Sequence, residues 1–412
     1  MQTIIIYQKF CNMIKVKNQI IFALTYFLIA GCLGILLRLF PVTNVTANYK
    51  YIVHTHSHIA LLGWVYIALT TLIFHLFIKP EAQKKYAILF WCTQITLLGM
   101  LISFPITGYA LFPIIFSTLF LICTYGFYIF FRKNNNCNKY NYSYKFINTS
   151  LVFMLISSIG PWALGIIMNT LGNTSHWYKN AIYFYLHFQY NGWFIFCLLG
   201  IFIFYLEKKG LNIQKKQISI FFKLMFLSCI LTLFLSFLWI KPSLVIYILA
   251  FLGALIQLFT LSKLQKIIMS FKLELYEKLT PFTIRLLTFV YLLFAFKIIL
   301  QLLTSIPYFA ELVSQIVDFV IGYLHLTFLG IVSLCLFVFL NEFGVLKLSK
   351  FGVKLYIIGF IFSEFLIFYK GFCNWQQLSI INNYYLLLVS ISSLMPIGVF
   401  IMFVFNLKNK FV

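Results

Sequence analysis

Apolar stretches of roughly twenty residues recur along the chain, separated by short runs carrying lysine, asparagine, glycine or proline. At 1.5 Å of helical rise per residue, such a stretch crosses the hydrocarbon of a bilayer. Twelve of them fall near 18–41, 51–78, 86–106, 108–131, 147–170, 181–206, 218–240, 242–262, 282–305, 317–340, 353–372 and 384–407. Pro80, Pro105, Pro161, the pair Lys241-Pro242, Pro281 and Pro307 mark several joints. The pattern predicts an all-α integral membrane protein of about twelve transmembrane helices, one polytopic domain over 1–412.

Composition agrees with that reading. Hydrophobic residues make up 62% of the chain and charged ones 9%, more apolar surface than a water-soluble core of this length uses. The partner this implies is the lipid bilayer. A net charge of +23 would suit nucleic acid if the lysines shared a face, but they sit in short runs between spans, which excludes that class. Assigning the span ends alternately to two sides puts twenty-five of the thirty-one basic residues on one side. Lys50, Lys179, Lys241 and Lys370 fall on the other, and Arg38 and Lys297 lie within spans. By the positive-inside rule both termini are cytoplasmic, and the expected location is a bacterial inner membrane.

Nine cysteines occur without a C-x-x-C pair, which argues against a disulfide framework, a zinc knuckle and thioether-bound heme. Ile29-Ala30-Gly31-Cys32 resembles a lipoprotein cleavage box, but the residues after Cys32 stay apolar, so 18–41 reads as an uncleaved helix.

Candidate chemistry lies in the histidines. His58, His187 and His325 each head the pattern His-x4-Gly, in HIALLG, HFQYNG and HLTFLG, and the first two copies continue with Trp64 and Trp193. The copies stand 129 and 138 residues apart, four helices each time, on the second, sixth and tenth spans. Four is even, so all three helices run the same way and the histidines lie at one depth near the outer side. The expected architecture is a pseudo-threefold bundle of four-helix repeats, roughly 18–131, 147–262 and 282–407. Intramembrane polar groups usually face a bundle interior, and imidazole is a common ligand for iron and copper. In HTHSH, His54 and His58 share a helical face while His56 points about 200° away. Tyr183, His187 and Asn191 share a face on the sixth span, so Asn191 can orient what the histidine binds. Asp318 lies two turns before His325. Lys297 with Gln301, and Glu364, are further intramembrane polar groups, suited to an ion pair or a proton path.

Twelve helices with histidines on the second, sixth and tenth resemble the catalytic subunit (subunit I) of the heme–copper oxidases and the related NnrS-type heme–copper membrane proteins. The resemblance implies a non-covalent heme, b-type, held by His58 or His56 together with His325. It implies copper at His187. Helical faces add His54 and Asn191 as further metal-site candidates, and Arg38, at the outer level, can pair with a heme propionate. The family's histidine pair on the seventh helix is absent, since 218–240 holds no His, and the tyrosine four residues after the sixth-helix histidine is here Asn191. A complete dioxygen-reducing centre is therefore not evident. What remains is a heme-binding respiratory protein with an electron-transfer or nitric oxide/oxygen-related role, served by a separate electron donor or respiratory-complex subunits. The competing expectations are a secondary transporter using the intramembrane His, Lys and Glu, and an assembly factor for a respiratory complex.

Overall fold

The computed structural model describes residues 15–211 and 213–408; Lys9, Lys410 and both chain ends, on which part of the orientation argument rests, lie outside them. Among the described residues there is no strand, and twelve helices are long and apolar enough to cross a membrane. They are α1 (Val16–Leu39), α2 (Tyr49–Phe77), α3 (Pro80–Thr107), α4 (Leu111–Asn134), α5 (Tyr142–Thr170) and α6 (His176–Lys208). The rest are α7 (Lys215–Ile240), α8 (Leu244–Ser270), α9 (Pro281–Thr304), α10 (Val317–Glu342), α11 (Lys350–Gln376) and α12 (Tyr384–Lys408). Every expected span is present, several lengthened by a turn or more. Helix α1 runs unbroken through Cys32.

Two short helices were not expected, Lys272–Lys278 and Pro307–Gln315. Both lie between spans, where amphipathic runs too short to cross hydrocarbon settle.

The chain forms two compact units. Among the described residues, the first comprises 15–137, 339–366 and 380–408, and the second 138–211, 213–338 and 367–379. In the first, α1 packs on α2 and on α12, and α3 packs on α4. The Lys79 N–H donates to Asn134 O at 3.0 Å and the Asn136 N–H to Phe77 O at 2.8 Å, tying the ends of α2 and α4 together. In the second, α5 packs on α6, α7 on α8, α8 on α9, and α9 on α10.

Three helices share a local feature that periodicity did not reveal. In α2, α6 and α10 the regular helix ends at His58, His187 and His325, and a π-helical turn follows at once over Ile59–Tyr66, Phe188–Phe194 and Leu326–Val332. A π turn closes its hydrogen bonds one residue later than an α turn, so it widens the helix and leaves carbonyls for other donors; such turns cluster at functional sites. In α10 the Ser333 hydroxyl takes up one of them, donating to Phe328 O at 2.7 Å.

Each widened turn packs on the helix before it in the chain, α1, α5 or α9. The glycines of the His-x4-Gly pattern explain how two of these contacts close. A Cβ at Gly63 would lie 2.7 Å from the Tyr26 side chain, and one at Gly192 would lie 2.7 Å from that of Phe153. An aromatic side chain thus occupies the space a larger residue would need. Trp64 and Trp193, which follow these glycines, are fully buried, and Trp64 stacks on Phe27 with ring centroids 4.6 Å apart.

Candidate functional site

In the second unit, the sixth-span histidine belongs to a buried hydrogen-bond chain. Lys297 on α9, Asn191 and His187 on α6 and Gln301 on α9 are all removed from solvent. The Lys297 Nζ donates to Asn191 Oδ1 at 2.7 Å and to Gln301 Oε1 at 3.1 Å. An ammonium has no acceptor, so the Asn191 atom facing it is the oxygen and the amide nitrogen must face His187. That nitrogen lies 3.2 Å from His187 Nδ1, which therefore accepts. The proton of the neutral ring sits on Nε2 and is donated to Cys229 O at 2.8 Å.

The Cys229 carbonyl is available for a local reason. Helix α7 tightens into a 3-10 turn over Leu233–Ile240, and the Leu233 N–H is taken by Ile230 O instead of the carbonyl four residues back. The tightening occurs where α8 presses on α7, since a Cβ at Gly253 would lie 2.7 Å from the backbone of Leu231 and Thr232.

Lys297 is enclosed by π faces as well as amide oxygens. Its Nζ stands 5.8 Å from the Tyr190 ring centroid and 5.5 Å from that of Tyr323, within the range of cation–π attraction. The two phenol rings meet edge to face, with centroids 6.0 Å apart. Sequence reading missed both tyrosines, although Tyr190 adjoins Asn191 and Tyr323 lies two residues before His325. As placed, His187 has both ring nitrogens engaged and no lone pair to offer copper, and Asn191 is held by Lys297 and His187. Among the described residues no group of three His, Cys, Asp or Glu side chains is arranged to hold a metal ion.

Asp318, also in this unit, is an ion-pair residue. Its carboxylate accepts from Lys370 Nζ at 3.0 Å and from Asn374 Nδ2 at 3.1 Å, so both oxygens are used. His325 is half-buried at the start of its π turn.

In the first unit, the histidines of HTHSH divide as the helical angle requires. His56 turns toward α1, where its Nδ1–H donates to Ala30 O at 2.9 Å. A Cβ at Gly34 would stand 3.1 Å from His56 Cε1, so glycine allows the ring to lie across α1. Ala30, Gly34 and Arg38 follow one another at single-turn spacing on that face. Arg38 lies within Coulombic reach of Glu364 on α11, and Glu364 is buried.

His54 and His58 turn toward α3. The His58 Nδ1–H donates to His54 O at 2.8 Å, and the Tyr109 hydroxyl lies 3.4 Å from His58 Nε2. The His58 ring packs 4.5 Å from that of Phe104. Tyr109 was not expected from the sequence; its signal is its place beside Gly108 in the short turn joining α3 to α4. Gly108 has φ +63, a conformation that excludes most side chains and directs Tyr109 over the histidines.

For both His56 and His58 the Nδ1 proton is held by a carbonyl, so Nε2 carries the lone pair. This is how a second hydrogen bond fixes the tautomer of a ligating imidazole. His75 and His176, the two remaining histidines, are exposed at helix ends. Comparison with protein-family models and with curated proteins returned no match to this chain.

Proposed function

We propose that this chain is a heme-binding protein of a bacterial inner membrane, acting in electron transfer. In this reading it is built from three four-helix repeats, 18–131, 147–262 and 282–407, with both termini on the cytoplasmic side. The repeat is supported by the π turn that opens directly after the same histidine in each copy.

The observation that carries the heme assignment is His56. Its Nδ1 proton is committed to Ala30 O, so Nε2 is the nitrogen that would hold iron, and Gly34 makes room on α1 for the ring. Arg38, one turn beyond Gly34, is the cation for a propionate, with Glu364 within Coulombic reach of it. These residues fit a non-covalent heme. When bound, the heme supplies one-electron chemistry; His56 binds, Ala30 O orients its ring, and Arg38 neutralises an anionic edge. Electrons come from a separate partner. The copper expected at His187 does not fit the donor set there, and no step is assigned to it.

The test is the optical spectrum of the full chain purified from heme-replete cells. A Soret band that is lost in His56→Ala and retained in His58→Ala supports the assignment. A colourless wild-type preparation overturns the reading.

A second reading, proton-coupled transport, is favoured by the buried Lys297–Asn191–His187 chain, since an ammonium removed from water usually marks a substrate or proton route. It requires pH-driven uptake in proteoliposomes that Lys297→Met abolishes.

A further inference from the structure

Three side chains of the first unit converge at a place the heme reading does not use. His54 and His58 stand one turn apart on the same face of α2. Tyr109 reaches over them from the α3–α4 turn, with its ring centroid 4.5 Å from that of His54 and 5.9 Å from that of His58. Its hydroxyl lies 3.4 Å from the His58 Nε2 lone pair.

That separation is long for a hydrogen bond from a hydroxyl, which centres near about 2.8 Å. Two ligands of one tetrahedral ion, each about 2.05 Å from it, stand about 3.3 to 3.4 Å apart. The phenol and the imidazole are thus spaced as neighbours in a coordination shell. Paired histidines one turn apart are a recurrent way for a helix to hold a metal. Phe104 walls one side of the His58 ring, while Tyr109 is 46% exposed, leaving an approach for an ion and for water.

We propose that His54, His58 and Tyr109 form a site for a borderline divalent transition ion, Cu2+ or Zn2+, with water completing the shell. Two imidazoles and a phenol oxygen, without a carboxylate, suit these ions and not Mg2+ or Ca2+. Tyr109 binds as phenolate and gives its proton to water. The bound ion adds a coordinate link between α2 and the α3–α4 turn, beside the ring contacts of Tyr109 with His54 and His58. This site stands apart from the His56 assignment, so one can fail without the other.

The test uses the full chain in detergent, stripped with a chelator and titrated with Cu2+ and separately with Zn2+. One ion per chain is expected, with copper showing electron paramagnetic coupling to two nitrogens and a phenolate-to-copper absorption band. Tyr109→Phe, a change on an exposed ring that leaves the fold in place, removes the band and weakens binding by about tenfold or more. His54→Ala with His58→Ala abolishes uptake, while His56→Ala leaves it unchanged. Wild-type affinity in Tyr109→Phe and in the double histidine variant, or no stoichiometric uptake of either ion by the wild type, overturns the proposal.

Discussion

Lys297 Nζ donates to Asn191 Oδ1 across 2.7 Å, and this contact between α9 and α6 decides which nitrogen of His187 carries its proton. Breaking it leaves Asn191 free to turn its amide and His187 free to change tautomer. Lys297→Met and Asn191→Ala are each expected to destabilise by about 2–4 kcal/mol, because each leaves buried polar partners unpaired. The double variant should cost less than the two summed, by about 1–3 kcal/mol, since the second change removes a group already orphaned. Thermal unfolding in detergent measures this; strict additivity would show that the residues do not act as one chain.

The glycine of the second His-x4-Gly copy is expected to be steric in purpose. Gly192→Ala places a Cβ 2.7 Å from the Phe153 side chain and should cost about 1–3 kcal/mol by overpacking. Combining it with Phe153→Leu should recover part of that loss, whereas Phe153→Leu alone destabilises. A Gly192→Ala protein as stable as wild type would mean that α5 and α6 do not meet there as described.

Arg38 and Glu364 act on each other within the first unit, and Glu364 is buried. Arg38→Leu is expected to destabilise more than Arg38→Leu combined with Glu364→Leu, because the single change leaves a buried carboxyl without the cation beside it. The difference should be about 1–3 kcal/mol. Equal melting temperatures for the two variants would detach Glu364 from Arg38.

The exposed pair Lys241–Glu311, 2.7 Å apart in the second unit, sets a pH dependence of known sign. The hydrogen bond and charge of Glu311 raise the lysine above its ordinary value of 10.5. A group raised on folding contributes stability that is present below its unfolded value and lost as pH rises through the folded one. The small melting difference between wild type and Glu311→Gln should therefore hold from neutral pH to the ordinary lysine value and vanish above it. Because the pair is open to solvent, high salt should shrink it at every pH. A difference that grows with alkaline pH would contradict the pairing.

Hydrophobic length alone determined the twelve spans of this protein, because a helix that must cross hydrocarbon satisfies its backbone within itself and leaves its signature in consecutive residues. Spacing likewise singled out His58, His187 and His325, each of which is followed by a π turn, and the helical angle separated His56 from His54 and His58. Only tertiary structure decided what each imidazole touches. The π turns after the three histidines, the carbonyl released at Cys229 by the tightening of α7, the cage around Lys297 and the approach of Tyr109 all arise where one helix meets another. Their causes are residues distant in the chain, such as Phe153 against Gly192 or α8 against Leu231, and no local period records them. Periodicity gives the face a side chain occupies; the neighbour packed on that face decides whether its lone pair is spent or kept.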